Sequence, residues 1–166
     1  MGVAPPNRVV KIVSGGQTGV DRAALDAARD LGLELGGWVP RGRRAEDGRV
    51  SLRYPLRETA SASYPQRTRY NVRDSDATLI LTRGAPPSGG TALTIGLAGS
   101  LRRPCLVVDL EAGDDSLADR LETARAWLCA HEVRVLNVAG PRESSAPGIA
   151  ADAYDFMIEL LGGDAG

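Results

Sequence analysis

Two short stretches have the composition of an anion site. The first is "SGGQTGVD", Ser14 to Asp21, in which Gly15, Gly16 and Gly19 surround Gln17 and Thr18. The second is "SGGT", made of Ser88, Gly89, Gly90 and Thr91. Each follows an apolar run and precedes a helix-like run. Glycine lets the backbone approach a ligand closely. The free N–H groups of the next helix point to the same place, where the helix dipole adds about half a positive charge. The side chains of Gln17, Thr18, Ser88 and Thr91 add hydrogen bonds. This chemistry suits a phosphate or another oxyanion. Neither stretch is a Walker A motif or a complete GxGxxG, so neither names a nucleotide by itself. A tight turn that merely packs uses the same residues.

Other candidates are more ambiguous. Arg142 lies in the Gly/Pro-rich "NVAGPRESSAPG", where it can pair with oxyanion oxygens or simply neutralise Glu143. Arg67, Asn71 and Tyr64 belong to a helix-like piece that can reach over the site. Asp21 suits a helix N-terminus but repels a phosphate bound there. It reads as a first-turn acid, a cap, or a partner for a ligand hydroxyl or amine. Asp74 and Asp76 precede a strand, on the edge away from the site, and read as structural. His131 is the single histidine and ends a helix, a surface position. No Ser-His-Asp set and no metal-ligand spacing is present, so no catalytic residue is assigned and no structural metal is expected.

The elements that must position these groups alternate. Apolar runs predict strands at Val9–Ser14, Leu33–Val39, Ala77–Thr82, Pro104–Leu110 and Glu132–Gly140. Helix-like periodicity predicts helices over Val20–Leu31, Gln66–Ser75, Thr91–Arg103, Ser116–Ala130 and Ile149–Leu161, with Gly32 as a stop and Thr91 near an N-cap. The small residues Ala92, Gly96, Ala98 and Gly99 would let the third helix lie close to a sheet or ligand. Pro40 to Pro65 resists assignment; it is polar, broken by prolines and carries six arginines, so it reads as functional or disordered. The stretch from Arg41 to Arg57 could close as a lid. Near-continuous apolar strands alternating with helices imply an α/β, doubly wound, mostly parallel sheet of five or six strands, a Rossmann-like three-layer sandwich. Such sheets bind ligands beyond the carboxyl ends of their strands. If the first and third of the predicted strands are neighbours, both glycine turns border one crevice.

Bulk properties narrow the classes. A length of 166 residues suits one domain over 1–166. The net charge of −1 and 4% aromatic content argue against nucleic acid. No apolar run approaches a membrane span, and "MGVAPPNR" lacks a signal-peptide pattern and the myristoylation pattern, so a cytoplasmic protein is expected. Cys105 and Cys129 lie in apolar segments and read as buried small hydrophobes.

Six segments together, "SGGQTGVDRAALDAA", "GGWVPRGRRAEDG", "YPLRET", "QRTRYNVRDSDATLILT", "SGGTALT" and "LNVAGPRESSAPGI", resemble the molybdenum carrier family, in matching order from Lys11 to Leu161. That family is similar to a broader Rossmann-like group that includes the lysine-decarboxylase-like cytokinin-activating hydrolases and the YpsA-like and DprA-like proteins. The resemblance implies a protein that carries or stores molybdenum cofactor, a pterin bearing a phosphate, or binds molybdate. It also implies a homo-oligomer, dimer or tetramer, with molybdoenzymes as cofactor acceptors. By position, Gly15, Gly16, Gln17, Thr18 and Gly19 match the first ligand loop, and Ser88, Gly89, Gly90 and Thr91 the second. The hydrolases' catalytic glutamate falls at Thr94, which cannot act as an acid or base at neutral pH; Glu143 or Asp21 would have to substitute. The alternative functions are a nucleotide-processing enzyme such as a phosphoribohydrolase, or a sensor of a nucleotide-derived signal.

Overall fold

The computed structural model describes residues 7–111 and 113–162. The N-terminal segment read above for targeting signals lies outside them up to residue 6. Five strands form the main sheet: β1 (Lys11–Val13), β2 (Glu34–Gly36), β7 (Ala77–Thr82), β8 (Cys105–Asp109) and β9 (Val135–Ala139). Their order is β2-β1-β9-β7-β8, and every pairing is parallel. The helices are α1 (Val20–Asp30), α2 (Tyr64–Arg73), α3 (Gly89–Ser100), α4 (Leu117–Ala130) and α5 (Ile149–Gly162). The chain is therefore an α/β, Rossmann-like fold.

Alternation along the strands separates two interiors. Ile12, Leu79, Leu81, Leu136 and Val138 join apolar residues of α1, α4 and α5 in one large core. The opposite face carries Thr78, Thr82 and Asn137, all buried, and is covered by α2 and α3, which pack on each other. That face is the more polar one, and the cleft described below opens on it.

β1 and β7 are not neighbours; β9, the last strand in sequence, lies between them. The chain leaves β1 through α1 toward β2, and leaves β7 through α3 toward β8, in opposite directions along the sheet. This is the divergence that opens a crevice at a strand-order reversal. The two glycine turns still flank it, with the end of β9 between them.

The unassigned segment is ordered. Leu33–Val39 is not one strand: Gly37, at φ 126, breaks it, and β3 (Trp38–Val39) turns away to pair with β6 (Arg57–Glu58). A hairpin of β4 (Arg44–Ala45) and β5 (Gly48–Arg49) follows. Val39, Val50, Tyr54 and Leu56 close with Leu25 of α1 into a second small core. Its polar centre is Arg43, only 4% exposed, whose guanidinium donates to the carbonyls of Val50, Ser51, Tyr54 and Leu56 at 2.8–3.0 Å. An arginine holding four carbonyls fixes a segment that has little regular hydrogen bonding of its own.

Thr91 lies near the α3 N-cap as expected, while two readings of side-chain placement, the small residues of α3 and the cysteines, are corrected. α3 begins at Gly89 with Ser88 as N-cap, so Thr91 sits inside the first turn. That phase turns Thr91, Thr94 and Ala98 inward and leaves Ala92, Gly96 and Gly99 exposed. Cys129 is exposed on α4 and Cys105 is half-buried, because Leu121, Ala124 and Leu128 take the buried face of that helix. No helix among the described residues is long and apolar enough to cross a membrane.

Candidate functional site

A cleft of about 460 Å³ lies beyond the carboxyl ends of β1, β9 and β7, within the range usual for small-molecule sites. Of the residues predicted from sequence, Gly15, Gln17, Arg67 and Arg142 line it, as do Ser88, Gly89, Gly90 and Thr91. Gly16, Thr18 and Gly19 do not. The lining carries three arginines, Arg67, Arg83 and Arg142, against one carboxylate, Asp21.

The second glycine turn opens into this cleft. Ser88 is extended, at φ −140 and ψ 170, and its side chain makes no capping bond to α3. Among the described residues, nothing accepts from the N–H groups of Gly89 and Gly90. Such groups at a helix start carry the positive end of the dipole. Thr91 is buried, yet its hydroxyl has no partner among the described residues. A Cβ built on Gly89 or Gly90 would meet nothing within 4 Å. Gly89 is nonetheless required by its backbone, at φ 52.

The first turn has the same composition and the opposite state. Ser14 accepts from Gly16 N–H at 3.3 Å, and Asp21 from Gln17 N–H at 3.3 Å. The Gln17 side chain accepts from Thr18 N–H at 3.1 Å, and Pro141 from Val20 N–H at 3.3 Å. Three of the five amides expected to hold an anion, those of Gly16, Gln17 and Thr18, are thus occupied by the protein itself. The glycines serve packing instead. Gly16, at φ 72, lies against Leu56 and Val39, and Gly19, at φ 78, against the backbone of Pro141, Arg142 and Glu143. Gly15 is bare because the Arg67 guanidinium occupies the space a Cβ would need.

Arg67 reaches this position from α2, with Nη1 3.3 Å from Asp21 Oδ2; the two side chains are 12% and 6% exposed. Burial pushes the Asp21 carboxyl above the usual carboxylate range, opposed by the Arg67 charge and the Gln17 N–H. Arg67 also stacks over Tyr64, and its Nε is buried without a partner. Asn71 lines the cleft but uses both ends of its amide on the backbone of Trp38, at 2.7 and 3.0 Å.

Arg142 does not neutralise Glu143. It lies 3.9 Å from Glu46 of the β4–β5 hairpin. Glu143 instead accepts from Gly148 and Ala150 N–H at the start of α5. Glu46 is the seal over the first turn. Its carboxylate accepts from the hydroxyls of Ser144 and Thr18 and from Ser144 N–H, and its own N–H donates to Gln17 Oε1 at 2.9 Å. The Ser144 hydroxyl first, then Thr18, hold the Glu46 carboxyl below its ordinary range. Arg83 donates to Asp152 at 2.8 Å and to Pro147 O.

The sequence reading left Arg83, Thr94 and Asn137 out of the site and gave Asp21 a ligand contact only as one of three alternatives; all four line the cleft. Asn137 had a usable signal, a polar residue inside an apolar strand. Thr94 donates back to Gly90 O at 2.9 Å, a bond a glutamate there could not make. Asp74 and Asp76 hold structure, accepting from Trp38 Nε1 and from Arg134 and Val135 N–H at 2.8–3.0 Å.

A family model described as the circularly permutated YpsA SLOG family matches residues 12–161. The chain belongs to this family. It is also similar, at 43% identity and a TM-score of 0.87, to a crystal structure named "Putative molybdenum carrier protein" from Syntrophus aciditrophicus SB. The match covers 93% of this chain and 95% of that one. Comparison with curated proteins found no match. The molybdenum carrier resemblance read from the sequence is thus met at the level of the family and its fold.

Proposed function

We propose that this cleft binds a phosphorylated small molecule, and that molybdenum cofactor is its cargo, which the protein carries or stores. One observation carries the reading: the unsatisfied start of α3 faces a cleft whose lining holds three arginines and one carboxylate. In this reading the phosphate sits against Ser88, Gly89, Gly90 and Thr91, within reach of Arg142 and Arg83. Gly15, Gln17 and Arg67 form the other wall, and Gly16, Thr18 and Gly19 shape the turn behind it. The cleft is several times larger than a lone tetrahedral oxyanion, which displaces a few waters of about 30 Å³ each. A pterin or nucleotide with its phosphate is the better match. No cysteine or histidine is among the lining residues, so recognition runs through phosphate and ring rather than through soft ligands to the metal. The name of the similar structure supports molybdenum as cargo; molybdoenzymes as acceptors and a cytoplasmic homo-oligomer complete the proposal.

Calorimetric titration with molybdenum cofactor, molybdate and nucleoside monophosphates tests this. Saturable cofactor binding, lost in Gly90→Asp, is expected. Binding of nucleotides alone removes molybdenum from the reading, and undiminished binding in Gly90→Asp overturns the site.

A second reading, a phosphoribohydrolase, is favoured by Asp21, a buried carboxyl in the cleft with a raised pKa. It predicts free base on incubation with nucleoside monophosphates, abolished in Asp21→Asn. Absence of base release rejects it.

A further inference from the structure

We infer that the α1–α2 wall of the cleft reads an aminopyrimidinone edge, the one shared by guanine and the pterins, through Asp21 and Arg67. The inference rests on the proposal that a phosphorylated ligand occupies the cleft. It adds which ring that ligand carries.

The lining is polarised. The N–H groups of Gly89 and Gly90 and the Thr91 hydroxyl, without protein partners among the described residues, gather at the start of α3, where a phosphate belongs. Asp21 lines the other wall, from α1. A buried carboxylate repels phosphate, so the part of the ligand beside it must donate hydrogen bonds. Both contacts to Asp21 go to one oxygen: Gln17 N–H and Arg67 Nη1 each lie 3.3 Å from Oδ2. Oδ1 has no partner among the described residues, though the side chain is only 6% exposed. An unpaired acceptor so nearly buried at a cleft wall is placed to receive a donor.

Arg67 stands beside it as a donor. Its guanidinium is fixed by Asp21, by the face of Tyr64 at 5.2 Å and by the bare Cα of Gly15. Its Nε is buried and unpartnered. Gln17 supplies a second donor. Its Oε1 accepts from both Thr18 and Glu46 N–H, so the network orients the amide with Nε2 left over. The wall thus presents a carboxylate acceptor flanked by donors, all pinned before a ligand arrives.

An aminopyrimidinone presents the complement: a carbonyl, a ring N–H and an exocyclic amino group in a row. The N–H and amino groups can donate to the Asp21 carboxylate while the carbonyl accepts from Arg67. Hypoxanthine lacks the amino group. A lumazine has a carbonyl in its place, which would set oxygen against carboxylate. Adenine puts an acceptor where the ring N–H should be. Sites built to bond a polar group discriminate strongly against the analogue that lacks it.

The experiment uses matched pairs of ligands on the intact protein. Guanosine and inosine monophosphates differ by the amino group, as do a hydroxymethylpterin phosphate and its lumazine counterpart. The expected result is that the amino-bearing member of a pair binds about tenfold or more tightly, and that Asp21→Asn reduces this ratio toward one. Preference within the purine pair alone assigns a guanine nucleotide, and within the pterin pair alone a phosphorylated pterin; either supports the edge. Equal affinity within both pairs overturns the edge while leaving a phosphate-binding cleft intact. If none of the four binds, the edge is overturned, and the cofactor titration decides the phosphate-binding cleft separately. Circular dichroism checks the fold of Asp21→Asn; if it does not fold, the wild-type pairs decide alone.

Discussion

The two glycine turns share composition, place in the fold and relation to a helix start, yet they end in opposite states. In the turn from Ser14 to Val20, nearby N–H groups are bonded within the protein, and the glycines are bare because other groups fill the space. In the turn from Ser88 to Thr91 the space beside both glycines is empty and the helix start faces the cleft. The difference lies in what the rest of the chain delivers. Glu46, Leu56, Arg67 and Pro141 close the first turn from four separate places; among the described residues no comparable group reaches the second. A glycine turn is permission for close approach, and either protein or ligand can take it up.

Substitutions can break this contrast. The largest effect is expected for Gly19→Ala. The residue has φ 78, and its Cβ would press on the backbone of Arg142 and Glu143 at 2.8 Å. Backbone cannot yield as a side chain can, so a stability loss of at least about 2 kcal/mol is expected in chemical denaturation. A loss below about 0.5 kcal/mol would show that the first turn is not sealed as described.

Next is Gly90→Asp, which places a carboxylate at the open helix start. Affinity for a phosphorylated ligand should fall by about tenfold or more, because charge of the wrong sign meets both dipole and ligand. Thermal unfolding should move by only a few degrees, since nothing lies within 4 Å of the added Cβ. A large loss of stability would mean that this turn too is a packing device.

Glu46→Gln sharpens the contrast through pH. The folded-state pKa of Glu46 is lowered, chiefly by Ser144 and Thr18. A carboxylate of this kind contributes stability above its unfolded pKa and loses it as pH falls through the folded value. Acid denaturation should therefore be less steep in the variant across the range below the ordinary glutamate value of 4.5. Coincident acid profiles would remove Glu46 as the seal.

The smallest effect is expected for Gly90→Ala. Its φ is not positive and its surroundings are open, so helix propensity alone applies, a gain of up to about 1 kcal/mol. The same change at Gly15 must displace Arg67.

Much of the fold was legible because its signals are local. The apolar run Ala77–Thr82 is β7 to the residue, and Ser116 caps α4 with Asp119 in a capping box. The order of strands was not legible. β9 pairs with β1 through residues more than a hundred positions apart, and nothing near either strand encodes that choice. Arg43 illustrates a second limit. Among six arginines in one polar stretch it looks like its neighbours, and only the folded chain turns four carbonyls toward it.

The candidate site divides the same way. The sequence by itself determined the alternating elements, both glycine turns and the kinship, because apolar period, missing Cβ atoms and motif order are properties of short segments. Tertiary structure decided which turn stays open, that Asp21 faces the cleft beside Arg67 from 46 residues away, and that Glu143 caps a helix while Glu46 meets Arg142. The physical reason is range. A glycine sets what its backbone can do, whereas the occupant of the space beside it arrives from distant parts of the chain.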